Sequence, residues 1–550
     1  MTVTEDAPAA APASSQPTAP APAATGLASI LGTGDHKVVG RIWLLASLLH
    51  LLLAGSAAIW ISVQRIDVEQ LSTNAPDFFA QAFTFRSIAG AFLFLLPFTI
   101  GLATLVVPLQ VGAATVAFPR AAAAAAWTYL LGGGLVVAAY AIDGGALGDD
   151  TDGVRLFTLA FLLVLVSLVV AWICLATTVI ALRPTGMSLR RVPLFAWSIL
   201  IAGTVWVVNL SVLAGVVLIG YIDLRYGGST GFITGGGAAT LYSRIAWVFG
   251  QPAVYAFAIP ALGIISSVVP VFSDTRLVRH RVAMGLIGAY GALAAGAWAL
   301  PAFGPDPLPW LYEAPWVAAS FAVVVPLLGL FGIWALTLRQ GAPRLASPLL
   351  FAGASALMLL VGLLAGALQA IEAIETLVDE GATSLYGTTV TTSVASYVVL
   401  AATIAAFGGL VYWAPKVIGR QVSENGARVV ALLLLVGTVV WAFPDLISGL
   451  LGQSAVPGVV PTDNLDAIKA LDTVSAIGGG ILALAGLAFV GVLIGGFRSR
   501  VEPGDDPWTG QTLEWVTSSP PPVGNFPSLP VIESETPLYD ARHQPEEATA

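Results

Sequence analysis

The chain of 550 residues is short of the side chains that metal and redox chemistry require: one cysteine, four histidines and four methionines. A single cysteine, Cys174, excludes a disulfide within the chain and any copper centre built on paired thiolates. It falls inside a long apolar run, where a lone cysteine serves as a small packing residue. Charge is scarce too, with 10% of residues charged against 57% hydrophobic. That balance excludes a soluble globular protein of this length and leaves a polytopic membrane protein whose solvent is the lipid bilayer. The net charge of −9 gives no electrostatic footprint for nucleic acid.

What is present is apolar and periodic. Runs recur at 40–63, 87–112, 124–142, 156–182, 193–222, 243–271, 282–304, 315–338, 347–371, 388–415, 428–450 and 473–497. Each is long enough to cross about 30 Å of hydrocarbon as a helix, and lipid leaves backbone groups no other partner than their own helix. The expected fold is therefore an all-α bundle of twelve transmembrane helices. Basic residues gather in alternate loops: Lys37 and Arg41, Arg120, Arg183 and Arg190, Arg276 and Arg279, Arg339 and Arg344, Lys416 and Arg420, Arg498. The intervening loops carry acids, among them Asp149, Asp150 and Asp152, then Glu372, Glu375, Asp379 and Glu380, then Asp463, Asp466 and Asp472. The positive-inside rule then places both termini in the cytoplasm of a cell-membrane protein. Residues 1–32, rich in Ala and Pro, read as a disordered tail, 33–497 as the membrane domain, and 498–550 as a polar, Pro-rich cytoplasmic tail.

Seven motifs in order carry a resemblance. Thr33-Gly-Asp-His-Lys-Val-Val-Gly40 opens the first span, and Val107-Pro-Leu-Gln-Val-Gly-Ala-Ala-Thr-Val-Ala-Phe-Pro-Arg120 closes the second. Arg183-Pro-Thr-Gly-Met-Ser188 with Pro193-Leu-Phe-Ala-Trp197, Trp247-Val-Phe-Gly-Gln-Pro-Ala-Val-Tyr255, Ser347-Pro-Leu-Leu-Phe351 and Tyr412-Trp-Ala-Pro-Lys416 follow. The tail adds Pro507-Trp-Thr-Gly-Gln-Thr-Leu-Glu-Trp515 and Ser519-Pro-Pro-Pro-Val-Gly-Asn-Phe526. Together they resemble subunit I of the haem–copper oxidases, the core subunit of cytochrome c oxidase. The resemblance spans about nine-tenths of the chain and implies that family's twelve-helix fold, with subunit II-like and subunit III-like proteins as partners.

The residues that differ matter most. The resemblance implies two haems and a copper, held by six histidines on four helices. By the span assignment only His50 of the four histidines lies within the membrane, and one imidazole cannot ligate two irons and a copper. Position by position, the first low-spin haem ligand becomes Arg86, the copper histidine of the signature becomes Gln251, and the adjacent copper histidines become Leu300 and Pro301. The histidine pair of the tenth span falls on Ser393 and Ala395, and the arginines that anchor haem propionates fall near Ala455 and Val456. The proton-relay residues fare alike: the gate glutamate is Ala253, the channel lysine is Leu330, and the aspartate before Val-Ala-Phe-Pro-Arg is Thr115. Tyr255 survives, four residues after Gln251 and on the same helix face. It reads as a packing tyrosine or as the remnant of a polar cavity.

Other residues keep two readings each. His50 serves either as an interhelical hydrogen-bond partner or as a haem ligand with Met358 or Met187. Arg86 either snorkels to the surface or faces inward to an acidic group. The acidic run at 372–380 is a solvated loop, a docking face or a weak cation site. The expected function is a subunit I-like membrane protein without haem, copper or catalysis, acting as a structural or regulatory part of a respiratory-type complex. The competing readings are an active terminal oxidase subunit and a small-molecule or ion conduit through emptied haem cavities.

Overall fold

The computed structural model describes residues 32–543 apart from 75, 77, 228, 234–236, 251, 298–309, 379–384, 457, 462 and 500–501. Of the expected disordered segment 1–32, only Gly32 lies within the described residues. Eleven helices are long and apolar enough to cross a membrane among the described residues. They are α1 (His36–Arg65), α2 (Phe79–Gln110), α3 (Pro119–Ala141), α4 (Thr151–Ala181), α5 (Leu194–Tyr226), α6 (Ala253–Phe272), α8 (Val317–Gln340), α9 (Ser347–Ile371), α10 (Thr389–Ile418), α11 (Glu424–Leu450) and α12 (Leu465–Arg498). The run expected to span at 282–304 is helical over α7 (His280–Leu293), whose 14 residues are too few to cross alone. Eleven spans with α7 between α6 and α8 agree with the expected twelve-helix bundle.

Helix starts follow local chemistry. Side chains of Asp35, Asp150, Thr388 and Ser423 accept from backbone N–H groups in the first turns of α1, α4, α10 and α11, satisfying donors that the helices leave open. Pro119 sits at the first position of α3, where its missing N–H is harmless. Gly227 and Gly419, at φ of 69° and 71°, end α5 and α10 in the left-handed conformation that favours glycine. α2 starts at Phe79 rather than 87, because its polar first turns, including Gln81, Thr84 and Arg86, are helical as well.

Burial sorts the helices into a centre and a rim. The apolar window of α2 is wholly inside the protein and that of α6 is 94% inside, whereas only 28% of the α12 window is. Helices adjacent in sequence pack as neighbours, notably α3 on α4, α4 on α5, α9 on α10 and α11 on α12, and α12 returns to close on α1. α1 crosses α2 at paired glycines. A Cβ built on Gly40 would fall 2.9 Å from the Gly101 carbonyl oxygen, so only glycine permits the approach. The exposed leucines, isoleucines and valines of α11 and α12 form the lipid-facing surface.

One end of the bundle carries the basic loops and the other the acids. Residues after α12 form a strap across the basic end rather than trailing away. Asn525 receives His36 Nε2 at 3.0 Å and Lys37 Nζ at 3.3 Å, and donates to the Ala113 carbonyl at 2.8 Å. Trp508 and Trp515 donate their indole N–H groups to the Tyr412 carbonyl and hydroxyl, at 3.0 and 3.2 Å. Glu514 is fully enclosed, its Oε1 accepting from Gln110 Nε2 at 3.0 Å and Trp413 Nε1 at 3.2 Å. Burial pushes the Glu514 carboxyl above the usual carboxylate range, against the pull of the Gln110 hydrogen bond.

Candidate functional site

Three of the positions that the resemblance assigns to metal ligands, Gln251, Leu300 and Pro301, lie outside the described residues. The others carry side chains without a lone pair suited to iron or copper. Ser393 is buried on α10 and donates its hydroxyl to the Ala442 carbonyl of α11 at 2.7 Å. Ala395, half-buried, has no donor atom at all. Leu330 is fully buried in α8, among apolar side chains of the core, and cannot carry a proton. Thr115 donates to the Gly34 carbonyl at 3.1 Å near the basic end.

Ala253 begins α6 in a tight seat. A Cβ on Gly296 would come within 2.1 Å of the Ala253 Cβ, so the backbone after α7 occupies the space a longer side chain would need. Tyr255 is fully buried, and among the described residues its hydroxyl has no hydrogen-bond partner; Trp206 Nε1, Trp247 Nε1, Asn209 Nδ2 and the Tyr290 hydroxyl, all buried, likewise have none among the described residues. Trp206 meets Phe257 with ring centroids 4.7 Å apart, and Asn209 Oδ1 accepts from Ala297 N at 3.0 Å. Tyr255 thus packs in the core with its hydroxyl unpaired among the described residues.

Three of the four histidines, His50, His36 and His543, make contacts elsewhere. His50 Nδ1 lies 2.9 Å from the Ala46 carbonyl and 3.0 Å from the Tyr129 hydroxyl, and Tyr129 itself stacks on Trp43 at 4.6 Å. A Cβ on Gly133 would sit 3.2 Å from His50 Nε2, so α3 closes the side from which an iron would approach. Of the two reading options for His50, the structure supports the interhelical contact. His36 bridges the Thr104 carbonyl and Asn525, and His543 lies in the strap, stacked on Tyr539 at 4.0 Å. His280 opens α7 at the basic end. Among the described ligand positions, Arg86, Ser393 and Ala395 carry no imidazole.

At the acidic end the structure assembles a cluster that the sequence reading missed. Arg65, the last residue of α1, places Nη2 3.2 Å from Asp445 Oδ1 and 3.0 Å from Asp472 Oδ1. The three side chains are 14%, 4% and 1% exposed. Gln453 Nε2 donates to Asp472 Oδ2 at 2.7 Å, and Thr389 Oγ1 donates to the Asp445 carbonyl at 2.8 Å, tying α1, α10, α11 and α12 together. The available signal was an ionisable residue, Asp445, inside an apolar run, which in a membrane span calls for a partner. Asp472, by contrast, belongs to the buried cluster rather than to an acidic loop.

Arg86 enters the same region from α2. It is half-buried, with its guanidinium carbon 5.5 Å from the Phe83 ring centre, and forms no ion pair among the described residues. It shares a cleft with Arg65, Asp445, Thr392 and Ser396, whose mouth includes Ala455 and Val456. Arg86 therefore faces inward, toward the acidic group, while still within reach of the end of the bundle. The structure brings Arg86 beside the α10 turn that holds Ser393 and Ala395; Tyr255, Ala253 and Leu330 do not line that cleft. Of the acidic run, Glu372 and Glu375 follow the apolar part of α9, and Asp379 and Glu380 lie outside the described residues.

The family model described as "Cytochrome C and Quinol oxidase polypeptide I" matches residues 38–481. The chain belongs to that family. It is 31% identical over 534 residues to a putative cytochrome c oxidase subunit 1-beta of Streptomyces coelicolor, covering 93% of this chain and 90% of the relative. A haem–copper oxidase subunit I+III of Aeropyrum pernix is 28% identical, over 92% of this chain and 62% of its own length. In structure the chain is similar to a haem–copper terminal oxidase dimer solved by cryo-EM, with a TM-score of 0.68 at 13% identity and 84% of each chain covered. That last likeness speaks for the fold.

Proposed function

We propose that this chain is a non-catalytic member of the subunit I family, a structural or regulatory component of a respiratory-type membrane complex that holds no haem or copper itself. The observation that carries the reading is where the family-like motifs sit. His36 and Lys37, Gln110 and Ala113, Tyr412 and Trp413, and Glu514 through Asn525 come from four separate motifs and bond to one another at the basic end. Ala196 of a fifth motif donates its N–H to Gln110 Oε1 at 3.1 Å. These motifs build the scaffold of one end of the bundle. Away from that end, positions needed for chemistry hold Arg, Ser, Ala and Leu, with no imidazole pair to clamp an iron.

An active oxidase, the function in the relatives' names, requires ligands that four histidines in such positions do not supply. The basic end faces the cytoplasm in this proposal, so both termini are cytoplasmic and the protein resides in the cell membrane. Proteins of the subunit II and subunit III kinds are the partners proposed; one relative is named a subunit I+III, which couples a subunit III part to a subunit I. The test is a reduced-minus-oxidised spectrum with iron and copper analysis on protein purified from its own membranes. We expect no haem bands and metal far below one atom per chain, with oxidase-type subunits co-purifying. Stoichiometric haem lost on unfolding this chain would overturn the reading.

A further inference from the structure

We infer that the cleft at the acidic end is a binding site for a small monoanion, of the size of chloride or a single carboxylate group, held by Arg86. The inference rests on how the charges are spent. The two carboxylates of the cleft region are both committed to Arg65, and Asp472 also to Gln453. Arg86 stands apart from that triad, with an aromatic face at 5.5 Å and no carboxylate within ion-pair distance among the described residues. A guanidinium is a planar, permanently charged fork of donors, and partial burial leaves those of Arg86 in need of an acceptor.

The surroundings suit one acceptor and little more. Ser396 lies one helical turn beyond Thr392 on the same face of α10, and both line the cleft. Thr392 spends its hydroxyl proton on the Thr389 carbonyl, whereas Ser396 has no hydrogen bond to any described residue and is free to donate. The cleft is narrow, with about 30 Å³ of space, and opens at the end of the bundle beside Ala455 and Val456. Phe83, Val68 and Leu71 line the cleft as well and lower the local dielectric, which strengthens a charge-assisted bond to Arg86. This site depends on Arg86 and α10 alone and stands whether or not the chain works in a complex.

The experiment uses full-length protein in nanodiscs at constant ionic strength, exchanging isethionate, a bulkier sulfonate without a carboxylate, for chloride and, separately, for formate. Saturable thermal stabilisation by chloride and formate, with none from isethionate, is expected. Arg86→Gln should weaken that affinity by at least about tenfold, the effect of losing one hydrogen bond to a charged group. Ser396→Ala, which leaves every charge in place, should weaken it by a smaller factor and serves if Arg86→Gln does not fold. Occupation by a lipid carboxylate rather than a free ion would show as stabilisation by phosphatidylserine-containing nanodiscs in isethionate that Arg86→Gln removes. A shift that follows ionic strength alone, or an affinity unchanged in both variants, would overturn the inference and leave Arg86 as a distant counter-charge to Asp445.

Discussion

Replacing Arg65 by methionine tests whether the acidic-end cluster holds the bundle together. The change keeps an unbranched apolar stem and deletes the charge, leaving Asp445 and Asp472 buried at 4% and 1% exposure. Breaking a buried ion pair by removing one partner costs about 3–5 kcal/mol, because the remaining charge is stranded. Two stranded carboxylates push toward the upper figure. Arg86 in the same cleft and the Gln453 hydrogen bond push the other way, so about 3 kcal/mol is the expected loss. Asp472→Asn should lose less, about 1–3 kcal/mol, since Arg65 retains Asp445. The triple change Arg65→Met, Asp445→Leu, Asp472→Leu should fall near the parent or above it, as apolar replacement of whole buried ion clusters has done. Equilibrium unfolding in mixed micelles with rising SDS reads all three. An Arg65→Met variant within about 0.5 kcal/mol of the parent, the range of a neutral surface change, would refute the reasoning.

Three further outcomes follow from the basic end and the histidines. Asn525→Ala leaves His36 Nε2 and the Ala113 carbonyl without their partner, at about 1–3 kcal/mol for each buried group, and should speed proteolysis after residue 502 while α1 to α12 stay protected. Glu514 holds its proton more tightly in the folded protein than in the unfolded one, so its contribution to stability is largest at acid pH. That contribution declines as pH climbs from the ordinary carboxylate value through the raised one. Glu514→Gln, which keeps an acceptor for Gln110 and Trp413, should therefore gain on the parent as pH rises through that window; parallel midpoint-versus-pH curves would contradict this. His50→Gln should leave the visible spectrum of purified protein unchanged, and a haem band abolished by it would count against the proposed function.

The interior of this protein was only partly legible in its residues. Ser393 and Ala395 could be placed in the tenth span by counting back from Tyr412 and Trp413, and both are on α10. That Ser393 spends its hydroxyl on α11 was not readable, because the partner is a backbone carbonyl and carries no residue-type signal. His50 left two options open in sequence, and Gly133 decided between them by bringing α3 against the ring. The tail at 498–550 read as a polar, Pro-rich cytoplasmic segment, and Trp508, Glu514 and Asn525 fasten it to α10, α2 and α1.

Composition and run length by themselves determined that the chain crosses the bilayer many times as helices, since lipid offers unpaired peptide groups no partner. The count of histidines determined the shortage of imidazole, which no packing can remedy. Only the tertiary structure decided which distant charges meet: Arg65 is hundreds of residues from Asp445 and Asp472 along the chain and about 3 Å from each in space. The physical reason is that helix formation is written in local periodicity. Pairing across helices depends on how their crossing angles and contact depths bring turns together, as at Gly40 and Gly101.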